Sequence, residues 1–259
     1  MEFQQIIYTK ENQTATITLN RPAKLNAYSE VMVHEIIAAL ADARDDDNTR
    51  AVIVTGAGRG FCAGGDISPD FQYPARYRGH ALESMLEMRE NMHQLVTFLR
   101  RFDKPTVAAI NGPAVAGGLT LALCCDFRIA GENAWFSIPE VELGIPLSWN
   151  ALPRLAREVG HARALEMTVV CERFSAQQAL DWGLVTHVVP TGKELDAARE
   201  LAAKIVAKPP LPVALTKASM KAIKRQTEQG DVAYSDGDLL LYSRLLQQRA
   251  RRRAQRDEA

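Results

Sequence analysis

Two kinds of apolar spacing divide the first part of the chain. Residues 3–8 (FQQIIY) and 14–19 (TATITL) alternate apolar and polar positions in the manner of half-buried β-strands, and the polar segment KENQ between them predicts a turn. After Ser29, apolar residues recur at three- and four-residue spacing from Val31 to about Ala43, which predicts an α-helix with Ser29 as its N-cap. The chain is therefore expected to begin with a hairpin and an amphipathic helix.

Further along, two short segments are apolar at every position. Residues 51–55 (AVIVT) and 106–110 (TVAAI) have the pattern of strands that are buried on both faces. A long helical pattern between them covers residues 82–101. The segments 127–131 (FRIAG) and 134–137 (AWFS) are predicted as two more strands.

The last part of the chain is mainly helical in pattern, beginning near Ala151. Residues 174–190 interrupt it with a helix, a turn and one more strand, and the tandem prolines of residues 207–212 precede the last helices. Alternating strands and helices followed by helices alone predict an α/β fold with a helical C-terminal appendage. We divide the chain into a core of residues 1–195 and a helical region of residues 196–259.

Charge and composition narrow the class of protein. The 259 residues include 31 basic and 31 acidic side chains, so the zero net charge gives no general attraction to nucleic acid or to anionic lipid. The N-terminus lacks the basic start and apolar stretch of a secretory signal, and no segment approaches the roughly 18 apolar residues of a membrane helix. Four cysteines without C-x-x-C spacing (Cys62, Cys124, Cys125 and Cys171) are expected to be buried, reduced thiols. We therefore expect a cytoplasmic protein with no nucleic-acid or membrane partner and no metal site.

A glycine pair follows each of the two buried strands. The segments AVIVTGAGRGFCAGGDI (51–67) and TVAAINGPAVAGGLTL (106–121) share this arrangement of strand, loop and Gly-Gly. One interpretation is a tight turn or close packing, where a Cβ would not fit. The other is that main-chain N–H groups face a ligand, helped in the second segment by the N-terminus of a helix that begins near Gly118. Two such N–H groups aimed at one point would form an oxyanion hole.

A dinucleotide-binding loop is the competing interpretation of the first segment, because GAGRG follows a strand. It fails because Phe61 stands where the third glycine of G-x-G-x-x-G is required, and because Pro69 follows where a helix should start. No nucleotide cofactor is therefore expected at this loop.

Six motifs, in order along nearly the whole chain, resemble the crotonase, or enoyl-CoA hydratase/isomerase, superfamily. They are NRPAKLNA (20–27), GRGFCAGGDI (58–67), KPTVAAINGPAVAGG (104–118), CDFRIA (125–130), FSIPEVELGI (136–145) and FSAQQALDWGLV (174–185). The resemblance implies a spiral of ββα units that carries the active site, and a C-terminal helical region that builds homotrimers, commonly dimers of trimers. It also implies an acyl-CoA substrate, with coenzyme A as part of the substrate and no separate cofactor.

The same resemblance assigns site residues by motif position. The oxyanion donors would be the main-chain N–H groups of Gly65 and Gly117. The residues expected along the coenzyme A moiety are Lys24, Leu25 and Ala27, and those expected to border its adenine through main-chain contacts are Ala63, Asp66 and Ile67. For Lys24, a solvated surface lysine is the alternative.

One carboxylate of the family pattern is missing. Hydratases of this family place two glutamates over the substrate, and one of them stands three residues after the oxyanion glycine, where this chain has Thr120. Thr120 cannot act as a general base at neutral pH, although its hydroxyl could order a water. The other position is Glu140 in IPEVELG, which we take as the candidate acid/base; an ordinary ion-paired glutamate is the alternative, and Glu142 lies two residues on.

The segment GIPLSWNALPRL (144–155) also departs from typical hydratases, which have a glycine-rich segment there. Trp149, next to Ser148, is expected either to narrow the acyl pocket or to be a core residue.

One carboxylate is enough to move a double bond, so an enoyl-CoA isomerase or a hydratase with a single acid/base glutamate is the leading prediction. A non-catalytic acyl-CoA-binding protein is one alternative. A hydrolase or decarboxylase of β-dicarbonyl substrates that uses the same oxyanion hole is the other.

Overall fold

The computed structural model of the chain describes residues 2–66 and 81–227. Ile67, predicted to border the adenine, lies outside these residues. So does the segment 228–259 of the predicted oligomerisation region.

Nine strands and eight α-helices are present in the described part of the chain. The strands are β1 (Ile6–Glu11), β2 (Thr14–Leu19), β3 (Ala51–Gly56), β4 (Thr106–Ile110), β5 (Ala114–Val115), β6 (Phe127–Gly131), β7 (Trp135–Ser137), β8 (Phe174–Ser175) and β9 (His187–Val189). The helices are α1 (Glu30–Asp45), α2 (Ala81–Arg101), α3 (Gly117–Cys124), α4 (Ala151–Val159), α5 (His161–Val170), α6 (Ala176–Asp181), α7 (Glu194–Val206) and α8 (Pro210–Thr227), and a short 3₁₀ helix covers Pro22–Lys24. Each element predicted within the described residues has a counterpart in the structure, whereas β5 and β8 were not predicted because two residues show no periodicity.

The first strand of the N-terminal hairpin has other bounds than predicted. It begins at Ile6 rather than Phe3, and continues through the polar residues to Glu11. The turn itself is formed by Asn12 and Gln13, whose φ angles of 49° and 61° match the two-residue hairpin turns that fit the strand twist. The apolar pattern misplaced β1 because it is an edge strand whose second half is mostly exposed.

Two sheets form successive layers of a spiral. The larger sheet has the order β1-β2-β3-β4-β6-β9 and is parallel except for the β1–β2 hairpin, and the smaller has the order β5-β7-β8. Isolated parallel bridges join Tyr28 to Gly65 and Cys62 to Ala114, which continues the smaller layer across the loops that follow β2 and β3. In each turn of the spiral, the chain therefore passes from the larger sheet to the smaller one and back.

The central strands β3 and β4 of the large sheet are buried on both faces, as their continuously apolar sequences predict. On one face α1 contributes fully buried side chains such as Ile36 and Leu40. On the other face, Ala198 and Ala202 of α7 pack against alternate residues of β3 and β4. The boundary we drew after residue 195 falls inside α7, so that helix is part of the core in the described structure.

No helix within residues 2–66 and 81–227 has both the length and the hydropathy needed to cross a membrane.

Candidate active site

Three loops meet at the carboxyl ends of neighbouring strands in the large sheet. Loop 1 (residues 20–28, including the 3₁₀ helix) follows β2, and loop 2 (residues 57–66) follows β3. Loop 3 (residues 111–116, including the two-residue strand β5) follows β4. These strands are parallel neighbours, so the three loops leave their carboxyl ends side by side. In open α/β sheets, ligands bind outside the carboxyl ends of the strands.

Asn26 joins loop 1 to loop 2. Its side-chain amide donates to the carbonyl oxygens of Ala57 (3.0 Å) and Gly60 (2.8 Å), and its Oδ1 accepts from the N–H of Arg21 (2.9 Å). The residue is fully buried and adopts a left-handed conformation, with a φ of 57°. Its role was not predicted from the sequence, although a polar residue that tolerates positive φ beside a Pro-containing loop is a signal for such a role.

Loop 2 and loop 3 are joined through the backbone. The carbonyl oxygen of Pro113 accepts from the N–H groups of Phe61 and Cys62 (both 3.1 Å), and the N–H of Val115 donates to Cys62 O (2.9 Å). Gly118, just past loop 3, packs so closely on this loop that a Cβ would overlap the Cys62 carbonyl. Close packing therefore accounts for one glycine of the second pair.

The other two glycines named in the predictions have free main-chain donors. The Tyr28–Gly65 bridge uses the carbonyl of Gly64 (2.7 Å to Tyr28 N) and the N–H of Asp66 (3.1 Å to Tyr28 O), and so bypasses Gly65. Gly117 is the first residue of α3, where no helical acceptor exists. Within residues 2–66 and 81–227, neither the Gly65 N–H nor the Gly117 N–H donates a hydrogen bond. The loops are adjacent, since a Cβ built on Gly64 would lie 3.2 Å from Gly117 N.

Ala116 holds the peptide group that carries the Gly117 N–H. Its backbone has φ 51° and ψ −121°, a region that residues with a Cβ rarely occupy, and its N–H donates to Ser137 O (3.0 Å). Such a conformation costs on the order of 1–3 kcal/mol and persists only when its surroundings impose it. The N-terminus of α3 is therefore fixed in a strained geometry by its neighbours.

Glu140 follows Ser137 by three residues, and the Ser137 carbonyl oxygen accepts the hydrogen bond from Ala116 N. Its side chain is buried, and its Oε2 has no hydrogen-bond partner within the described structure. Burial raises the pKa of Glu140 from 4.5 to about 7, partly offset by a hydrogen bond from its own main-chain N–H. Glu142 is exposed. Of the two glutamates, only Glu140 has the environment of a proton-transfer group at neutral pH.

Thr120 is one helical turn after Gly117 and only 1% exposed. Its Oγ1 faces the carbonyl oxygen of Ala116 at 3.4 Å, a weak contact within its own helix.

Trp149 packs against Gly117. A Cβ on Gly117 would overlap the indole ring, with Cη2 at 3.1 Å, and would lie 3.2 Å from Tyr28 Cε2. Trp149 is half-buried, has a φ of 61°, and its Nε1 has no partner among the described residues. It also packs against the main core, as the core interpretation expects, whereas a role in narrowing an acyl pocket stays a prediction. Ser148 is buried, and its carbonyl oxygen accepts from Ala151 N (3.2 Å) at the start of α4.

The residues predicted along coenzyme A lie in loops 1 and 2. Lys24 is half-buried in the 3₁₀ helix, Leu25 packs beside Gly60, and Ala27 is buried. The adenine-side residues Ala63 and Asp66 already use their N–H groups, in bonds to Leu25 O (3.0 Å) and Tyr28 O (3.1 Å) respectively. The carboxylate of Asp66 pairs with Arg21 (2.8 Å), which ties loop 2 to loop 1.

No group of His, Cys, Asp and Glu side chains in residues 2–66 and 81–227 has the arrangement of a metal site.

Comparison with known proteins agrees with the motif analysis. The family model described as enoyl-CoA hydratase/isomerase matches residues 9–256. The chain is 36% identical to the short-chain-enoyl-CoA hydratase of Clostridium acetobutylicum, with 84% of this chain and 81% of that protein aligned. It is 33% identical to the 1,2-epoxyphenylacetyl-CoA isomerase of Escherichia coli, over 88% of this chain and 85% of that one. A crystal structure of an enoyl-CoA hydratase from Mycobacterium avium subsp. paratuberculosis superposes with a TM-score of 0.83 at 29% identity, covering 94% and 95% of the two chains, which confirms the predicted fold.

Proposed function

Because the chain belongs to the enoyl-CoA hydratase/isomerase family, and is thus an enzyme of acyl-CoA substrates, we propose that it shifts the double bond of an enoyl-CoA thioester. In this proposal the thioester oxygen binds between the N–H groups of Gly65 and Gly117, and Glu140 moves the proton.

The oxyanion step is supported by the two free main-chain donors on adjacent loops. Negative charge develops on the thioester oxygen as the enolate forms, and a fixed N–H donor stabilises that charge by roughly 3–4 kcal/mol. Gly117 adds the positive end of α3, which favours an anion at the same point.

The proton step is supported by the burial of Glu140. Its carboxylate would take a proton from C2 of a 3-enoyl thioester, so that the C–H electron pair forms the C1–C2 double bond of a dienolate. The resulting carboxylic acid would return the proton to C4, as the double bond settles between C2 and C3. A pKa of about 7 suits a group that must be base and then acid in one turnover.

Isomerisation is favoured over hydration by the surroundings of Thr120. Hydration needs a held water, and the residue in the position of the second carboxylate is almost wholly buried with its hydroxyl turned to its own helix. Hydration stays the second candidate because relatives such as the Clostridium protein are named as hydratases. The buried carboxyl of Glu140, whose Oε2 has no hydrogen-bond partner among the described residues, carries the proposal against a non-catalytic acyl-CoA binder, which would gain nothing from so costly a group.

The decisive experiment compares 3-hexenoyl-CoA with crotonyl-CoA as substrates for the wild type, Glu140→Gln and the exposed control Glu142→Gln. We expect isomerisation in the wild type and the control, and a loss of roughly 10²–10⁴-fold in Glu140→Gln. Equal rates in the wild type and Glu140→Gln would remove Glu140 from the mechanism. Hydration faster than isomerisation would select the second candidate, and turnover of only β-dicarbonyl thioesters would select the hydrolase or decarboxylase alternative.

We also propose, from the family resemblance, that the chain assembles as a homotrimer or a dimer of trimers. One supporting observation is that α8 carries four large apolar side chains that are at least half exposed: Leu211, Leu215, Met220 and Ile223. Light scattering should give three or six times the 28.6 kDa mass of one chain. A monomer would contradict the proposal.

A further inference from the structure

Tyr28 contacts both of the loops that carry the free amides. Through its backbone it brackets Gly65, because its N–H donates to Gly64 O at 2.7 Å and its carbonyl accepts from Asp66 N at 3.1 Å. These two bonds fix the peptide groups on either side of Gly65, and so fix the direction of the Gly65 N–H.

The side chain of Tyr28 reaches the other loop, 89 residues further along the chain. Its hydroxyl donates to Gly117 O at 3.2 Å, and its Cε2 lies 3.2 Å from the position that a Cβ on Gly117 would take. Tyr28 is buried, and burial holds the pKa of its hydroxyl well above the ordinary value, so the group stays a hydrogen-bond donor at neutral pH.

We propose that Tyr28 is the positioning residue of the oxyanion site: its main chain sets the direction of the Gly65 N–H, and its side chain holds Gly117 at a fixed separation from it. This inference rests on the proposed function, since it concerns the same two donors. Tyr28 does not touch the reacting atoms in this role; it acts through the two glycines.

The physical reason is that an oxyanion hole loses its effect when a donor moves by a fraction of an ångström or turns away from the developing charge. Main-chain bonds from Tyr28 leave Gly65 little freedom, whereas Gly117 sits at a helix terminus, where helical hydrogen bonds constrain the backbone least. The bond from Ala116 N–H to Ser137 O holds the residue before Gly117, and the hydroxyl bond and ring contact of Tyr28 hold Gly117 itself.

The test uses Tyr28→Phe, which removes one oxygen atom and keeps the ring. Tyr8→Phe is the matched control, because the Tyr8 hydroxyl is also hydrogen-bonded (2.8 Å to Asp42 Oδ2) but lies on β1, away from the three loops. Tyr28→Met, which also lacks the hydroxyl, is a second variant. The probe is butyryl-CoA labelled with ¹³C at the thioester carbon, whose carbonyl stretching frequency falls when its oxygen accepts hydrogen bonds and which has no double bond to move.

In the wild type and Tyr8→Phe we expect the bound carbonyl to be shifted to lower frequency. Both Tyr28 variants should show less than half of that shift, with kcat reduced about 10-fold to 100-fold and KM changed less than about threefold, because the lost stabilisation belongs mainly to the transition state. An unchanged shift in a folded Tyr28 variant would overturn the inference. So would failure of both variants to fold, which would assign the residue to core stability. Absence of a shift in the wild type would instead refute the proposed oxyanion site itself.

Discussion

The indole ring of Trp149 occupies the position that a Cβ on Gly117, the first residue of α3, would take. Tyr28 Cε2 lies 3.2 Å from the same Cβ position. Gly117 is therefore confined by two aromatic rings, and the absence of a side chain at this position has a steric cause besides access for a ligand. Gly65 differs, because a Cβ there would meet no atom within 4 Å.

This difference predicts that an alanine substitution mainly lowers stability at Gly117 and mainly lowers activity at Gly65. Gly117→Ala should lower the free energy of unfolding by about 1–3 kcal/mol, because the methyl group overlaps Trp149. Gly65→Ala should leave thermal stability almost unchanged but lower kcat/KM, because the methyl group projects into open space beside the proposed oxyanion donor. Thermal unfolding and steady-state assays of both variants would check this, and a Gly65→Ala variant of full activity would contradict the placement of substrate there.

The pH dependence of turnover should follow Glu140. A base with a pKa of about 7 is mostly protonated at pH 5, so kcat/KM should rise about tenfold per pH unit below pH 7 and level off above it. Initial rates with 3-hexenoyl-CoA between pH 5 and pH 9 would show the inflection. A profile that is nearly level over this whole range would mean that the base is a solvated group with a pKa near the ordinary glutamate value of 4.5.

Stability should respond to the same titration with the opposite sign. The folded-state pKa of Glu140 lies above its unfolded value, so the folded protein binds the proton more tightly and loses stability as pH rises from about 4.5 to about 7. Glu140→Gln has no such proton, so its advantage in free energy of unfolding over the wild type should grow by roughly 3 kcal/mol across this window. Urea unfolding of both proteins at pH 4.5 and pH 8 measures the change, and a constant difference would argue against a buried carboxyl.

Removal of the Thr120 hydroxyl should have little effect on double-bond migration. Thr120→Val keeps the shape of the side chain and loses only a 3.4 Å contact within the helix, so isomerisation should stay within about threefold of wild type. Thr168→Val is a suitable control, since Thr168 is also buried and donates to the carbonyl four residues earlier (2.8 Å). A selective loss of crotonyl-CoA hydration in Thr120→Val alone would show that this hydroxyl orders the attacking water.

The sequence predicted the fold well where burial is continuous along the chain. The strands β3 and β4 and the N-cap Ser29 of α1 were each predicted, because each depends on residues near in sequence. The motifs also led to Gly65, Gly117 and Glu140, whose geometry is compatible with the roles proposed for them.

Tyr28 and Asn26 were missed for a physical reason. Their importance comes from hydrogen bonds to residues 31–89 positions away, and such contacts leave no periodic pattern. The position of Trp149 beside Gly117 could likewise not be predicted from the sequence. Trp149 and Asn150 both have a left-handed backbone conformation, which turns the chain before α4.

The dependence of loops 2 and 3 on loop 1 limits how this chemistry could be transplanted. A graft that carried only the two glycine segments and Glu140 into a new scaffold would leave behind Asn26, which binds loop 2, and Tyr28, which spans both loops. The smallest portable unit of this catalyst thus includes residues 20–28, although none of the reacting atoms is expected to touch Asn26 or Tyr28.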